Sequence, residues 1–188
     1  MRIISWEEYT ASDPLLDTPL AVTVGVFDGV HLGHQSLIRQ VCGSPHLPTV
    51  VTFRQNPQQV LKPDAFAGDI MNLEQKLRAF EVLGVQLTVL IDFSREFSKI
   101  NGRVFIDLLL NRPVKLIALG RNFRCGHRLD TGAEEIRSLA GAHGTEVWVA
   151  PPVMDEGQPV SSSRIRQALA AGRQAEAERL LGWPQKFE

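Results

Sequence analysis

Apolar residues along the chain follow two alternating rhythms. Short runs rich in Val, Ile, Leu and Thr at 20–26, 48–53, 86–91, 114–119 and 146–149 have the length and β-branched content of buried strands. Between them, apolar positions recur every three to four residues. Leu37, Ile38 and Val41 follow residue 31, and Leu73, Leu77, Phe80 and Leu83 form a helical stripe stopped by Gly84. Further helices are predicted over 104–110, ended by Asn111-Arg112-Pro113, and over 133–142, 161–170 and 175–181. Strand and helix alternating in this way predict a doubly wound α/β sheet of about five parallel strands, with helices on both faces, in a single domain over 1–188. Residues 54–69, rich in Pro, Gln and Asn, predict a long loop. Ligands of such sheets bind beyond the C-terminal strand ends. Three motifs fall at such places: 25–34, 120–126 and the segment that opens at Ser161.

The first motif reads Gly25-Val26-Phe27-Asp28-Gly29-Val30-His31-Leu32-Gly33-His34. It joins a strand to a helix through a tight turn, and places His31 and His34 on one face of the helix's first turn. Free N–H groups and the positive dipole end collect anions there, and Gly29 and Gly33 let an anion approach the backbone. Surface histidines or part of a metal site are the competing readings. The metal reading is weaker because no Cys/His cluster at ligand spacing occurs elsewhere. Phosphate handling is the leading expectation.

The third motif, Val160-Ser161-Ser162-Ser163-Arg164-Ile165-Arg166, places serines at a helix start and two guanidinium groups close by. By itself it reads as a capped helix with solvated arginines. Beside the histidine motif it becomes a second phosphate-holding segment.

Composition narrows the setting. A net charge of -1 gives no global attraction to nucleic acid or an anionic membrane, so a polyanion site must be local. No apolar run is long enough to span a bilayer, and no signal peptide opens the chain. Cys42 and Cys125 lack C-x-x-C spacing and read as free thiols of a reducing compartment, so a cytoplasmic protein is expected.

The pattern Gly25-x-Phe27-Asp28-x-x-His31-x-Gly33-His34 resembles the first motif of the H-x-G-H nucleotidylyltransferases. Extended to Gln35, it is particularly similar to the adenylyltransferase module of bacterial FAD synthetases. The Ser161–Arg166 segment resembles that family's Ile-Ser-Ser-Thr-x-Ile-Arg, with Val160 for Ile and Ser163 for Thr. Gly120-Arg121-Asn122-Phe123-Arg124-Cys125-Gly126 resembles its Gly-x-Asp/Asn-Phe-x-Phe-Gly, with Cys125 for the second Phe. Thr52-Phe53 followed by Pro57 is similar to its Thr-Phe-x-Pro-His-Pro loop, with Gln55-Asn56 in place of Pro-His. Leu181-Gly182-Trp183-Pro184 stands where the family has Leu-Gly-Arg-Pro-Tyr.

The resemblance implies a Rossmann-like fold of nucleotidylyltransferase type and the reaction of FMN with ATP to give FAD and pyrophosphate. It assigns His31, His34 and Arg166 to catalysis. It assigns Gly25, Phe27, Asp28, Gly33, Gly120, Asn122, Ser161, Ser162 and Arg164 to nucleotide or flavin binding. Mg²⁺ is expected to screen the triphosphate, with no protein-only metal site. Asp28 either touches the hydrated ion or caps the following helix. The departures at Asn56 and Cys125 fall in loops expected near the flavin, so transfer to another phosphate acceptor, or flavin and nucleotide binding without turnover, remain alternatives. Bifunctional members continue into a riboflavin kinase barrel, whereas this sequence stops at Glu188. The expectation is an adenylyltransferase domain without the kinase, supplied with FMN by a separate riboflavin kinase, or else a domain cut from a longer protein.

Overall fold

The computed structural model describes residues 1–11 and 17–183. Pro184, the last residue of the Leu-Gly-x-Pro match, lies outside them. Six strands form one parallel sheet: β1 (Arg2–Ser5), β2 (Leu20–Val24), β3 (Leu47–Phe53), β4 (Leu87–Ile91), β5 (Val114–Gly120) and a late strand, Glu146–Ala150. The late strand is β8, because two short antiparallel pairs flank it. These are β6 (Arg124–Cys125) with β7 (Thr131–Gly132), and β9 (Met154–Asp155) with β10 (Gln158–Pro159). The sheet order is β1-β4-β3-β2-β5-β8.

The doubly wound sheet is therefore as expected, but it has six strands rather than about five. The strand that pattern reading missed is β1, an edge strand with only Ile4 buried in its four residues. Too few apolar positions repeat there to mark it. It pairs with β4 through Arg2↔Leu87 to Ser5↔Leu90.

Alternation along the strands sends side chains to opposite faces. Leu20, Val22 and Val24 pack with α1 (Trp6–Thr10), α5 (Gly102–Leu110) and α6 (Ala133–Ala142), around Trp6, Tyr9, Phe105, Leu109 and Ile136. Ala21, Val50 and Ala118 face α2 (Leu32–Cys42) and α4 (Leu73–Val82), around Ile38, Val41 and Phe80. The expected loop 54–69 contains one short helix, α3 (Pro57–Leu61), and a 3₁₀ turn. Asn56 caps α3 by accepting the Gln58 N–H, and its amide donates to Asp69 at 2.9 Å. The closing pair, α7 (Ser162–Ala170) and α8 (Gln174–Leu181), shares a small core of its own around Ile165, Ala168 and Leu180.

The chain leaves β2 for β3 and β4 on one side, then returns for β5 and β8 on the other. The order reverses between β2 and β5, which is where doubly wound sheets open a crevice for ligands.

Candidate active site

The turn after β2 is built against backbone preference. Phe27 (φ 53°) and Val30 (φ 38°) occupy the left-handed region, and Gly29 between them has φ 81°. For a β-branched residue such as Val30 this is strained, at a cost of roughly 1–3 kcal/mol. Packing and hydrogen bonds hold it there. The Phe27 ring is buried edge-on against Phe80, 5.6 Å between centroids. The Val30 carbonyl accepts from the Gln35 amide at 3.0 Å and from the Trp183 indole at 2.8 Å. Gln35 also donates to the Leu181 carbonyl at 2.8 Å, which binds α8 to the turn.

That turn delivers the two histidines. His31 is the N-cap of α2, and its Nδ1 accepts the His34 backbone N–H at 3.4 Å. Capping is thus performed by His31, and the alternative of Asp28 as the cap is corrected. With Nδ1 used as an acceptor, the neutral His31 ring carries its proton on Nε2. The two imidazoles stack at 3.6 Å between centroids and 19° between planes. Gly33 permits this arrangement, since a Cβ there would lie 3.1 Å from Cε1 of His31. Burial lowers the His31 pKa to about 4. His34, half-buried as a residue, is held well below the usual histidine range by burial, then by the charges of His31 and Lys76. Its Nδ1 is buried and has no hydrogen-bond partner. Both rings are neutral donors near pH 7.

Asp28, 5% exposed, sits beneath the turn and links three segments. One oxygen accepts the backbone N–H groups of Ile70 (2.8 Å) and Met71 (3.3 Å), and the other pairs with Arg166. Burial raises its pKa, outweighing the opposing pull of Arg166 and the two N–H groups. The Ser162 hydroxyl donates to the Asp28 carbonyl at 3.0 Å, and Ser161 caps α7 by accepting the Arg164 N–H at 3.2 Å. A Cβ on Gly33 would lie 3.7 Å from the Val160 carbonyl. The histidine turn and the start of α7, more than 120 residues apart in sequence, are therefore in direct contact.

The two arginines of that segment have different fates. Arg166 points to Asp28 and donates to the Gly68 carbonyl at 3.2 Å. Arg164 turns to Asp155 at 2.6 Å and Glu176 at 3.3 Å, so its guanidinium braces the β9–β10 hairpin against α8. Positions two apart on a helix diverge by about half a turn, which explains the split.

Gly25 and Gly120 each lie two residues beyond the paired positions Thr23 and Ala118, at the same level of neighbouring strands. Past Gly120 the chain opens an exposed hollow of about 860 Å³, lined by Arg121, Asn122, Phe123, Arg137, Pro151 and their neighbours. Asn122 is exposed on its wall. Neither histidine lines this hollow, which lies past the ends of β5 and β8, while the histidine turn follows β2, the neighbour of β5 on its other side. Cys125 is half-buried and not disulfide-bonded; burial, aided by Asp130 and Glu135, raises its thiol pKa to about 12.

A model of the FAD synthetase family matches residues 14–164. The chain belongs to the FAD synthetase family. The bifunctional riboflavin kinase/FMN adenylyltransferase of Escherichia coli (strain K12) is 31% identical over 169 residues, covering 87% of this chain and 54% of that protein. The FAD synthetase of Listeria monocytogenes serovar 1/2a is 28% identical over 177 residues, covering 91% of this chain and 72% of its own length. The chain thus spans about half the length of the first curated relatives it matches. A Streptococcus pneumoniae crystal structure described as a macrolide-efflux protein superposes with TM-score 0.84 at 30% identity, over 98% of this chain and 63% of that one. The pantoate-beta-alanine ligase of Francisella tularensis shares the fold alone, with TM-score 0.58 at 15% identity over 97% of this chain and 85% of that one.

Of the residues singled out in the sequence, then, the structure brings together His31, Gly33, His34, Asp28, Ser162 and Arg166, while Gly120 ends the neighbouring strand, Asn122 lines the hollow beyond it and Arg164 pairs with Asp155 and Glu176. Sequence reasoning missed Lys76 and Gln35 as parts of the site. Lys76 had a readable signal: a charge three residues after Leu73 and four before Phe80, within the apolar stripe of its helix.

Proposed function

We propose that the chain transfers AMP from ATP to FMN, giving FAD and pyrophosphate. Family membership supports the reaction class, and one observation carries the site: the histidine turn and the Ser161–Arg166 helix start meet at Asp28. An FMN phosphate oxygen attacks the α-phosphorus in line. The new P–O bond forms as the bond to the β-phosphate breaks, and pyrophosphate leaves with the electron pair. Such chemistry depends on positioning and charge stabilisation rather than a protein nucleophile.

His31, through its Nε2–H, and His34 donate hydrogen bonds to oxygens of the α-phosphate and leaving group. Their depressed pKa values suit them to donation without net charge, not to release of a proton. The start of α7 and Arg166 hold the outer phosphates, with Asp28 fixing the guanidinium. Arg164 supports that helix from behind. Gly25 and Gly120 leave the strand ends bare for the nucleotide, and Asn122 reads it from the wall of the hollow past β5.

Mg²⁺ enters as part of the substrate, on the triphosphate. Among the described residues no group of three or more His, Cys, Asp and Glu gathers around a common point, and Asp28 already serves Arg166 and two N–H groups. FMN comes from a riboflavin kinase reaction, which the Escherichia coli relative's name pairs with the transfer. ATP and FMN place the reaction in the cytoplasm. Among the described residues no helix is long and apolar enough to cross a membrane.

The acceptor is tested by offering FMN, phosphopantetheine and nicotinate mononucleotide with MgATP and detecting pyrophosphate. Release with FMN alone is the expected result. Release with another acceptor in place of FMN would transfer the function to that substrate, and flavin binding without release would make this a sensor.

A further inference from the structure

The end of α8 rests directly on the histidine turn, and the transfer chemistry above makes no use of that contact. The Trp183 indole donates to the Val30 carbonyl at 2.8 Å. Gln35 divides its amide N–H groups between the same carbonyl, at 3.0 Å, and the Leu181 carbonyl, at 2.8 Å. Gly182 closes α8 in the left-handed region (φ 70°), where a Cβ would lie 2.5 Å from Cδ2 of Leu32. A Cβ on Gly29 would lie 3.1 Å from Cδ2 of Leu181. Three consecutive residues, Leu181 to Trp183, therefore meet the turn and the first turns of α2. Trp183 stands where the motif it resembles has arginine, so the indole is particular to this chain.

We propose that Trp183 is a positioning residue for adenylyl transfer: its indole N–H holds the Val30 carbonyl, fixes the peptide that leads into His31 and so sets where that imidazole stands. The inference rests on the adenylyl-transfer reading of the site.

The Val30 carbonyl belongs to the peptide unit that ends at the His31 nitrogen. That unit is planar, so holding its oxygen restrains the torsions on either side, ψ of Val30 and φ of His31. Val30 needs the restraint, being β-branched and fully buried at φ 38°. Its N–H donates to the Phe27 carbonyl at 3.1 Å, which closes the turn but leaves the carbonyl to be held from outside.

A carbonyl oxygen has two lone pairs, and Gln35 and Trp183 occupy both. The two donors are not equivalent. Gln35 lies on α2, the helix that His31 caps, and moves with it. Trp183 reaches the carbonyl from another element. Its half-buried ring packs against both the α7–α8 core and the core beneath α2, an apolar body with its polar edge aimed at the turn. Because His31 accepts the His34 N–H and stacks on the His34 ring, a displaced His31 would disturb the pair.

Trp183→Phe keeps an aromatic ring and removes the donor. NMR of the indole and histidine signals on the whole chain is read alongside FAD formation. In wild type the Trp183 indole N–H, assigned by its loss in Trp183→Phe, is expected to be protected from deuterium exchange about tenfold or more. Trp183→Phe is expected to shift the His31 ring signals and lower kcat roughly fivefold, with the KM for ATP and for FMN within about twofold. Gly182→Ala displaces the end of α8 without altering the indole or either histidine, and the same shift and loss are expected of it. Should Trp183→Phe not fold, Gly182→Ala decides in its place. A freely exchanging indole N–H in wild type overturns the inference without any variant. So does folded Trp183→Phe with unmoved His31 signals, or with wild-type kcat. His31 signals that follow Trp183 in a chain that makes no FAD sustain the hold of Trp183 on His31 and sink the FMN reading. FAD formation with His31 signals indifferent to Trp183 does the reverse.

Discussion

The ends of β2 and β5 are neighbours in the sheet, yet the chain treats them in opposite ways. After β2 the turn is buried, strained at Phe27 and Val30, and tied by Gln35, Trp183, Asp28 and Lys76. After β5 the chain leaves an open hollow with Asn122 exposed on its wall. On the proposed adenylyl-transfer reading, the contrast separates two tasks. Groups that meet developing charge must be fixed before the substrate arrives, because reorganisation during the reaction raises the barrier. Groups that recognise a base or ring can remain solvated until the ligand orders them.

The largest expected effect tests how firmly the β2 turn depends on neutral histidines. His31 has a folded pKa of about 4 against 6.5 unfolded, so the unfolded chain binds the extra proton between those values. Stability is then fully present above pH 6.5 and declines as pH falls towards 4, by roughly 3 kcal/mol from this residue. Denaturant titrations across that window should show the decline. His31→Asn, which retains a capping side chain, should flatten it.

On activity, His31→Asn and His34→Ala should each lower kcat on the order of 10²-fold as lost transition-state donors, in proteins that remain folded by circular dichroism. Turnover at the wild-type level in both would remove the turn from the chemistry. Gly33→Ala is a finer probe, because its methyl would press on the His31 ring at 3.1 Å. A drop in kcat of about tenfold is expected there, with little change in melting temperature.

The β5 end should respond differently and least. Asn122→Ala should raise the KM for nucleotide or flavin a few fold, on the order of 1 kcal/mol for one hydrogen bond, and leave kcat and thermal stability unmoved. A kcat loss as large as that of the histidine variants would erase the contrast between the two strand ends.

Much of this division was legible in the chain. The five predicted strands and the helices after residue 31 and over 73–83 were announced by long apolar rhythms, and the structure places them within a few residues. The edge strand β1 was silent because it buries a single side chain. Helix α3 was silent because none of its residues is buried, and its stability comes from the Asn56 cap and Pro57 at the first turn. Motif spacing pointed to His31, His34 and Arg166 as candidates, but it could not separate Arg166 from Arg164. The distinction depends on Asp155 and Glu176, whose positions are set by tertiary packing. Asp28 shows the same limit, since its partners Ile70 and Met71 lie 42 and 43 residues away in a stretch without periodicity.

The most direct measurement follows FAD by chromatography when wild type and the His31→Asn/His34→Ala double variant are each incubated with FMN and MgATP. FAD from wild type, with formation by the folded double variant reduced on the order of 10²-fold or more, is the predicted result. No FAD from folded wild type would contradict transfer to FMN, and equal FAD from both proteins would contradict the placement of the chemistry at the β2 turn.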